Sequence, residues 1–300
     1  MFTSLIVLSY LHNRMETDRS NLCGCKGIRT CLKCEQQFDI PCKNKSIHEK
    51  AYSIYFYCIY CKMCYPGLSS EINAHPFHTG EPIAVSGIYV GEDFLSEADE
   101  ADLLKALDAL PWDCSQSGRR KQNFGPKCNF KKRKLKCGDF KGFPVSTKFV
   151  QDKFKEVPLL EGYRTVEQCS LEYNPDRGAS IDPHIDDCWI WGERIVTVNL
   201  LSDSVLTLTP YHGNKYNIDL APIKFVKSLP DVAIRIPMPA RSLIILTQEA
   251  RYGWEHQVYR DDIKERRVCV AYREFTLPYL PGGEYANEGT VILEKAENFF

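Results

Sequence analysis

The chain has 300 residues, 44% of them hydrophobic, and its 38 basic and 39 acidic side chains leave a net charge of -1. At about 150 residues per domain, this length is enough for one sizeable core with a small appended module. The balanced charge excludes an overall field that attracts nucleic acid or membrane, so such a partner would need a local patch. Since no stretch approaches the roughly 20 apolar residues of a bilayer span, no membrane partner is expected.

Fourteen cysteines are present, which would suit a disulfide scaffold only in a short secreted protein. The apolar run at residues 5–8 is short, lacks a basic leader and is followed by no cleavage site, so it is not read as a signal peptide. The thiols are therefore expected to be reduced, and a cytoplasmic and nuclear location is expected.

Residues 1–65 hold eight of the cysteines and little periodic apolar pattern, so we expect a separate Cys-rich arm. The spacings C-x-C and C-x2-C supply four thiolates within twelve residues, enough for a tetrahedral zinc site, with free thiols as the alternative. These four are Cys23, Cys25, Cys31 and Cys34. A second site is left open by the other four, which are Cys42, Cys58, Cys61 and Cys64.

Regular elements are predicted from Pro82 onward. Residues 83–90 form a predicted strand, and Ser96 caps a helix to about Leu110, with Asp99 at the capping-box position. Apolar and β-branched runs predict further strands at residues 166–173, 195–201, 205–208, 233–236, 242–247 and 268–275. Many short strands without intervening helices favour an antiparallel sandwich or barrel. Residues 281–300 are expected to be a polar tail.

Residues 115–136 contain nine Lys or Arg and no acid, which predicts an exposed loop or flexible ribbon. Such a basic run can contact the phosphates of a nucleic acid or dock an acidic protein surface, with Phe124 and Phe130 as apolar contacts. A solvated face or a nuclear-import patch is the simpler alternative.

His184 and Asp186 are two residues apart, so on an extended strand their side chains emerge on the same face. His256 is the best third ligand because it follows the predicted strand 242–247 and lies among aromatic residues. Two imidazoles and one carboxylate leave open positions on a metal, the arrangement associated with Fe(II) oxygenases. Zinc is the rival metal for these ligands.

Arg267 and Arg273 fall on one face of the last predicted strand, and the apolar residues between them fall on the other. If both faces of the sheet are covered, the two guanidinium groups are buried and need an anion, for which a dicarboxylate is a planar, bidentate match. The alternative is salt bridges with protein acids such as Glu193 or Asp187.

The order of these motifs resembles the AlkB family of Fe(II)/2-oxoglutarate dioxygenases over roughly residues 82–280. Residues 92–96, followed by a helix, are similar to the usual entry to that family's domain. The resemblance implies a double-stranded β-helix, or jelly roll, which is mainly β with flanking helices, here with a Cys-rich N-terminal arm. It also implies Fe(II) and 2-oxoglutarate as cofactors, and a structural zinc is expected in the arm.

Site roles follow from the same resemblance. The implied iron ligands are His184, Asp186 and His256, and the implied 2-oxoglutarate residues are Arg267, Arg273 and Tyr173. The chain departs from bacterial members, which have Asn and Thr where it has Cys269 and Ala271, and Asn where it has Leu171. The segment that resembles the family's substrate lid includes Arg119, Arg120, Lys121 and Phe124.

Residues 23–31, 115–122, 181–184 and 189–194 are similar to one animal branch of the family. This likeness implies demethylation of a methyl-lysine protein such as actin, and N6-methyladenine in DNA is the alternative substrate. Met15 begins a stretch more like the relatives than the residues before it, so the true start is expected there. A non-catalytic binding module is disfavoured because all three ligands and both arginines are present.

Overall fold

The computed structural model describes residues 19, 23–26, 29–42, 45–67, 75–211, 213 and 231–300. Met15 and the apolar run at residues 5–8 lie outside the described residues. Within these ranges, no helix combines the length and the apolar character that a membrane span requires.

The described residues form fifteen β-strands and five α-helices. The first eight strands are Ser53–Cys58 (β1), Met63–Pro66 (β2), Ile88–Gly91 (β3), Asp113–Cys114 (β4), Arg120–Phe124 (β5), Lys127–Asn129 (β6), Lys134–Lys136 (β7) and Glu167–Tyr173 (β8). The others are Ile181–His184 (β9), Trp191–Leu200 (β10), Ser204–Pro210 (β11), Val232–Met238 (β12), Leu243–Leu246 (β13), Trp254–Val258 (β14) and Arg267–Phe275 (β15). The helices are Leu32–Phe38 (α1), Glu97–Asp108 (α2), Lys148–Lys153 (α3), Gln248–Tyr252 (α4) and Ala286–Ala296 (α5).

Two sheets of largely antiparallel strands make up the body of the described chain. One sheet has the order β2-β1-β12-β11-β14-β9, and the other has the order β3-β13-β10-β15-β8-β5-β4, while β6 and β7 form a separate hairpin. The expected mainly β jelly roll with flanking helices and a Cys-rich cluster near the N-terminus is confirmed.

The larger sheet buries both of its faces. Along β10, Ile195 belongs to the core between the two sheets, whereas Val196 and Val198 pack with Leu103 and Leu107 of α2. Because side chains alternate along a strand, an apolar run fits a sheet that is covered on both sides. The same alternation operates in β15, and it turns Arg267 and Arg273 toward the interior between the sheets.

The predicted helix begins as the sequence indicated. The hydroxyl of Ser96 accepts a hydrogen bond from the backbone N–H of Asp99 at 3.1 Å, and the Asp99 carboxylate accepts one from the Ser96 N–H at 3.2 Å. This capping box satisfies two amide groups that a helix start otherwise leaves without partners.

Two sequence interpretations of the chain ends are wrong. Within residues 1–65, β1 pairs in parallel with β12 and thereby joins the smaller sheet, so this part is not a separate arm. The end of the chain is not a polar tail, because α5 inserts Ile292 and Leu293 into the core between the sheets. Both contacts are made with partners that are distant in sequence, so local pattern could not predict them.

The basic stretch at residues 115–136 is not a flexible ribbon. Arg120–Phe124 is β5, which pairs with β8. Gln122 is buried and donates to the carbonyl of Leu107 at 2.7 Å. Arg120 donates to the buried carboxylate of Glu172 at 2.5 and 2.7 Å. The positive charge that predicted a loop is thus partly balanced by an acid from another strand.

Candidate active site

His184 and His256 are brought together by strand pairing. They are direct cross-strand partners on β9 and β14, and their ring centroids are 4.2 Å apart. Asp186 follows β9 by two residues and places Oδ1 3.9 Å from Nε2 of His184. One ligand atom of each of the three lies within 4.8 Å of the others, so the group can hold a metal ion.

The two imidazoles are in the state that a metal requires. Nδ1 of His184 is 2.8 Å from the carbonyl oxygen of Asp182, which fixes Nδ1–H as the donor and leaves Nε2 as the ligand atom. Burial lowers the pKa of His184, and lowers the pKa of His256 well below the usual value. Both rings are therefore neutral near pH 7, the form that coordinates a metal.

Two arginines hold Asp186, one through its carboxylate and the other through its backbone. Burial alone would raise its pKa, but Arg273, which donates from Nε to Oδ2 at 2.9 Å, keeps the pKa of Asp186 well below its usual range. Arg251 acts on the backbone instead, donating to the carbonyl oxygens of Asp186, Trp191 and Gly192 at 2.8 to 3.2 Å. It fixes the loop that carries the carboxylate.

Arg267 is a buried cation without a protein acid beside it in the described chain. It is 2% exposed, its Nε donates to Asn199 Oδ1 at 2.6 Å, and its guanidinium lies 4.8 Å from the ring centroid of Tyr173, its cross-strand partner. Its Nη1 is buried without a hydrogen-bond partner. Because a buried charge is costly unless an anion pairs with it, this position fits a bound carboxylate.

Arg273 pairs with protein acids, but not with those considered from the sequence. Its Nη1 donates to Glu167 at 2.5 Å and its Nε donates to Asp186, whereas Glu193 accepts a hydrogen bond from the backbone of Gln248. Glu167 faces Arg273 directly across β8 and β15. The salt-bridge interpretation thus holds for Arg273, which also lines the cavity beside Asp186.

A cavity of about 370 Å³ opens beside these residues. Its walls include His184, Asp186 and Arg273, with Trp191 and the more exposed Phe130 as aromatic surfaces. It also has carboxylates from Glu167, Asp182 and Asp187, and two cations, Arg29 and Arg119. A side chain of a substrate can therefore reach the candidate metal ligands His184 and Asp186 through a cavity that has both aromatic and acidic walls.

The four predicted lid residues take different positions. Arg119 lines the cavity and lies 5.9 Å from the Tyr173 ring centroid, whereas Arg120 is paired with Glu172. Lys121 is exposed, and Phe124 packs against the core near Phe300. The hairpin of β6 and β7 adds Phe130, which meets Trp189 edge to face. The cavity side of this segment is thus formed by Arg119 and Phe130.

The four N-terminal cysteines converge as their spacing predicted. Their sulfur atoms lie within 4.8 Å of one another, with Cys23 to Cys34 at 3.3 Å and Cys31 to Cys34 at 3.7 Å. Hydrogen bonding with Cys25 lowers the pKa of Cys31 to about 5, so this sulfur is a thiolate at neutral pH. The group can hold a tetrahedral metal ion.

The cysteine cluster is attached to the cavity rim. Arg29 pairs with Asp182 at 3.3 Å, and Arg260 pairs with Glu35 of α1 at 2.7 Å. Gly24 lies so close to Ser115 that a Cβ atom would be 2.6 Å from its backbone, so only glycine permits this approach. Local sequence pattern could not predict these contacts, nor those of Arg251, Glu167 and Asn199, because each contact joins segments distant along the chain.

Comparison with known proteins supplies close relatives over nearly the whole chain, although no protein-family model matches it. The chain is 40% identical over 290 residues to the human (Homo sapiens) protein "Alpha-ketoglutarate-dependent dioxygenase alkB homolog 4", covering 92% of the chain and 94% of the relative. The mouse (Mus musculus) protein of the same name is 38% identical over 293 residues, with the same two coverages. The "DNA N6-methyl adenine demethylase" of Caenorhabditis elegans is 33% identical over 288 residues, covering 90% and 93%.

Proposed function

The chain belongs to the AlkB family of 2-oxoglutarate-dependent dioxygenases and demethylases, and on this premise we propose that His184, Asp186 and His256 hold Fe(II). The observation that carries this assignment is the convergence of these three ligand atoms within 4.8 Å beside a cavity. When bound, Fe(II) and 2-oxoglutarate would supply the electrons that activate dioxygen, and dioxygen is the oxidant in the hydroxylation of a substrate C–H bond. Three ligands on one side leave positions for the cosubstrate and oxygen.

The arginines and Tyr173 bind 2-oxoglutarate in this proposal. Arg267 has a buried nitrogen without a partner and is the anchor for one carboxylate, with the Tyr173 hydroxyl as an additional donor. Arg273 already contacts Asp186 and lies beside the other carboxylate. Arg267 offers N–H geometry that matches a carboxylate, and Arg273, which already donates to Asp186 and Glu167, would contribute through its remaining N–H groups.

The substrate is proposed to be a methylated lysine of a protein. A methyl-lysine side chain is a cation on an apolar stem, and it suits a cavity that combines the rings of Trp191 and Phe130 with the carboxylates of Glu167 and Asp187. Hydroxylation of its N-methyl group gives a hemiaminal, which releases formaldehyde and leaves the demethylated amine. The cavity residues would orient the substrate so that its methyl carbon lies next to the proposed iron site.

The exposed Lys131, Lys132, Arg133 and Lys134 extend from the cavity rim on the hairpin of β6 and β7. They are proposed to dock an acidic protein surface, for which actin is the candidate from the branch resemblance. For the protein itself, we propose a cytoplasmic and nuclear location. The alternative is N6-methyladenine in DNA, favoured by the name of the C. elegans relative and by the same basic hairpin, which can contact phosphates.

The four N-terminal cysteines are proposed to bind structural zinc. A closed set of four thiolates leaves no position for substrate, so the ion would fix the fold of residues 23–34 rather than take part in catalysis. Full-length protein should contain zinc by mass spectrometry, and Cys31→Ser should contain one equivalent less. Equal zinc in the two proteins would contradict the assignment.

The iron site is tested by anaerobic titration with Fe(II) and 2-oxoglutarate, followed by exposure to oxygen. Wild type should show a metal-to-ligand charge-transfer absorption and then release succinate, and His184→Ala should show neither. His48→Ala, which removes an exposed histidine, is the matched control and should behave as wild type. Absence of the absorption from wild type would refute the ligand assignment.

The substrate is tested with methyl-lysine peptides, methylated actin and N6-methyladenine DNA under the same conditions. Formaldehyde formed in proportion to lost methyl-lysine supports the protein substrate, and formaldehyde from DNA alone supports the alternative. Trp191→Ala should reduce turnover of the methyl-lysine substrate while the Fe(II) and 2-oxoglutarate absorption remains. If turnover were unchanged, the cavity would not be the substrate site.

A further inference from the structure

A second cluster of metal-binding side chains lies away from the iron ligands, at the turn between β1 and β2. Cys58 is the last residue of β1, and Cys61 lies in the turn that leads to β2. His75 and His78 come from a later segment. One ligand atom from each of the four residues lies within 4.8 Å of the others. Neither the iron site nor the N-terminal cysteine cluster uses any of them.

The distances match a single tetrahedral ion. Zinc–sulfur bonds of about 2.3 Å and zinc–nitrogen bonds of about 2.0 Å place tetrahedral sulfur and nitrogen ligands about 3.6 Å apart. Nδ1 of His75 lies 3.2 Å from Sγ of Cys61 and 3.8 Å from Sγ of Cys58. Each of these two distances also suits a thiol–imidazole hydrogen bond. The four ligand atoms taken together, including that of His78, are spaced as they would be around one ion.

Two further features point to an ion rather than to a chance contact. The backbone N–H of Cys61 donates to Sγ of Cys58 at 3.4 Å, a bond that stabilises sulfur in its anionic form. Both ring nitrogens of His78 are buried and have no hydrogen-bond partner among the described residues. Buried ring nitrogens without a partner are unfavourable even in a half-buried side chain, and coordination of one nitrogen would remove part of that cost.

Aromatic rings hold the histidines in place. The ring of His78 stacks on Tyr65 with centroids 4.0 Å apart, and His75 lies 5.0 Å from the ring centroid of Tyr60. Because Tyr60 and Tyr65 belong to the same hairpin as the two cysteines, the hairpin supplies two ligands and orients the other two. The site is therefore built by one local element and the segment that returns to it.

We propose that Cys58, Cys61, His75 and His78 bind a structural zinc ion that fastens the residue 75–78 segment to the β1–β2 hairpin. Four protein ligands close the coordination sphere, which is the pattern of structural rather than catalytic zinc. The proposal also corrects the second site considered from the sequence. Cys64 is fully buried in the core between the sheets, and neither it nor Cys42 belongs to this cluster.

Zinc content of the full-length protein tests the proposal. Cys61→Ser and His75→Gln should each lose one equivalent of zinc relative to wild type, measured by mass spectrometry on protein expressed with zinc. His75 is exposed, so its replacement removes no buried side chain, and circular dichroism should show a folded protein. His48→Gln and Cys114→Ser alter exposed residues outside the cluster and should leave the zinc content unchanged.

Cobalt substitution identifies the ligands. In the Co(II)-loaded wild type, both cysteine clusters should contribute thiolate-to-Co(II) charge-transfer absorbance. The Co(II)-loaded His75→Gln variant should lack the contribution of two thiolates and keep that of the four N-terminal thiolates. Wild-type zinc content in both Cys61→Ser and His75→Gln would overturn the proposal. So would a Cys58–Cys61 disulfide in the freshly purified native protein, detected by thiol titration. Both results are independent of dioxygenase activity and therefore of the iron assignment.

Discussion

Arg267 is surrounded by Asn199, Met238 and Tyr173, none of which carries a negative charge at neutral pH. A buried guanidinium without an acid lowers stability unless an anion is supplied from outside. The residue is thus better explained by ligand binding than by folding. Asp186 differs, because the protein itself supplies Arg273 and Arg251 to hold it.

We predict that Arg267→Met removes the stabilisation that 2-oxoglutarate gives. At a concentration 100 times Kd, the ligand should stabilise the wild type by about 2.7 kcal/mol. The variant should show no such shift, and its ligand-free form should unfold at the wild-type temperature or higher because the uncompensated charge is gone. Thermal unfolding with and without 2-oxoglutarate provides the measurement.

The control for this prediction is Arg164→Met. Arg164 is half-exposed and pairs with Glu297 at the surface, so its loss should leave the ligand-induced shift intact. An equal shift in Arg267→Met and wild type would show that Arg267 does not bind the cosubstrate.

Local spacing indicated which candidate side chains lie near one another along the chain, whereas their pairing with distant segments could not be predicted from it. Arg267 and Arg273 share a face of one strand, so strand geometry alone could place that pair, whereas His184 ends β9 and Asp186 lies in the loop that follows. Arg251 and Glu167 could not be found, because their partners Asp186 and Arg273 are distant in sequence. Their assignment needs the sheet register, which only the folded chain supplies.

At the scale of elements, Glu172 joins three segments. Its carboxylate, 2% exposed, accepts hydrogen bonds from Arg120 of β5, from Arg266 just before β15, and from Arg177. Burial alone would raise its pKa, but the three arginines outweigh burial and lower the pKa of Glu172 to about 2. One side chain on β8 therefore ties both of its neighbouring strands.

We predict that Glu172 makes the protein sensitive to acid. Since its pKa is lower in the folded protein than in the unfolded chain, its stabilisation is complete above about pH 4.5 and is lost as pH falls toward 2. Between pH 6 and pH 3, the loss in wild type should exceed that in Glu172→Gln by on the order of 2 kcal/mol. Urea unfolding at pH 6, 4 and 3 measures the difference.

Asp139→Asn is the comparison for Glu172→Gln, because Asp139 pairs with Lys127 on the exposed surface. Its pH dependence should follow the wild type. Parallel curves for Glu172→Gln and wild type would mean that the triple arginine contact does not stabilise the folded state.

Element type was largely predictable, while element partners were not. The capped helix and the central strands followed from the capping box and from apolar runs, and they were confirmed within a few residues. β9 and β14 were not among the predicted strands because each is short and carries polar side chains, Asp182 and His184 in one and Glu255 and His256 in the other. Functional side chains had thus replaced the pattern that identifies a strand.

At the scale of the whole molecule, α5 closes one side of the core between the two sheets. Leu293 is 4% exposed within that core, and Val291 in the same helix is 46% exposed. Leu293→Ala should therefore lower the free energy of unfolding by about 2 to 5 kcal/mol. Val291→Ala should change it by about 0.5 kcal/mol or less. Denaturant unfolding of both variants distinguishes a core helix from a tail, for which the two values would be equal.

The parallel pairing of β1 with β12 constrains the order in which the protein is assembled during synthesis. Ser53 lies opposite Val232, so β1 leaves the ribosome roughly 180 residues before its partner exists. Because chains emerge at about 5 to 20 residues per second, this strand waits for about ten seconds or more with an unpaired edge. The neighbouring cysteines are local in sequence, so the N-terminal cluster can form during that interval. The smaller sheet, by contrast, is completed only after synthesis has passed β14.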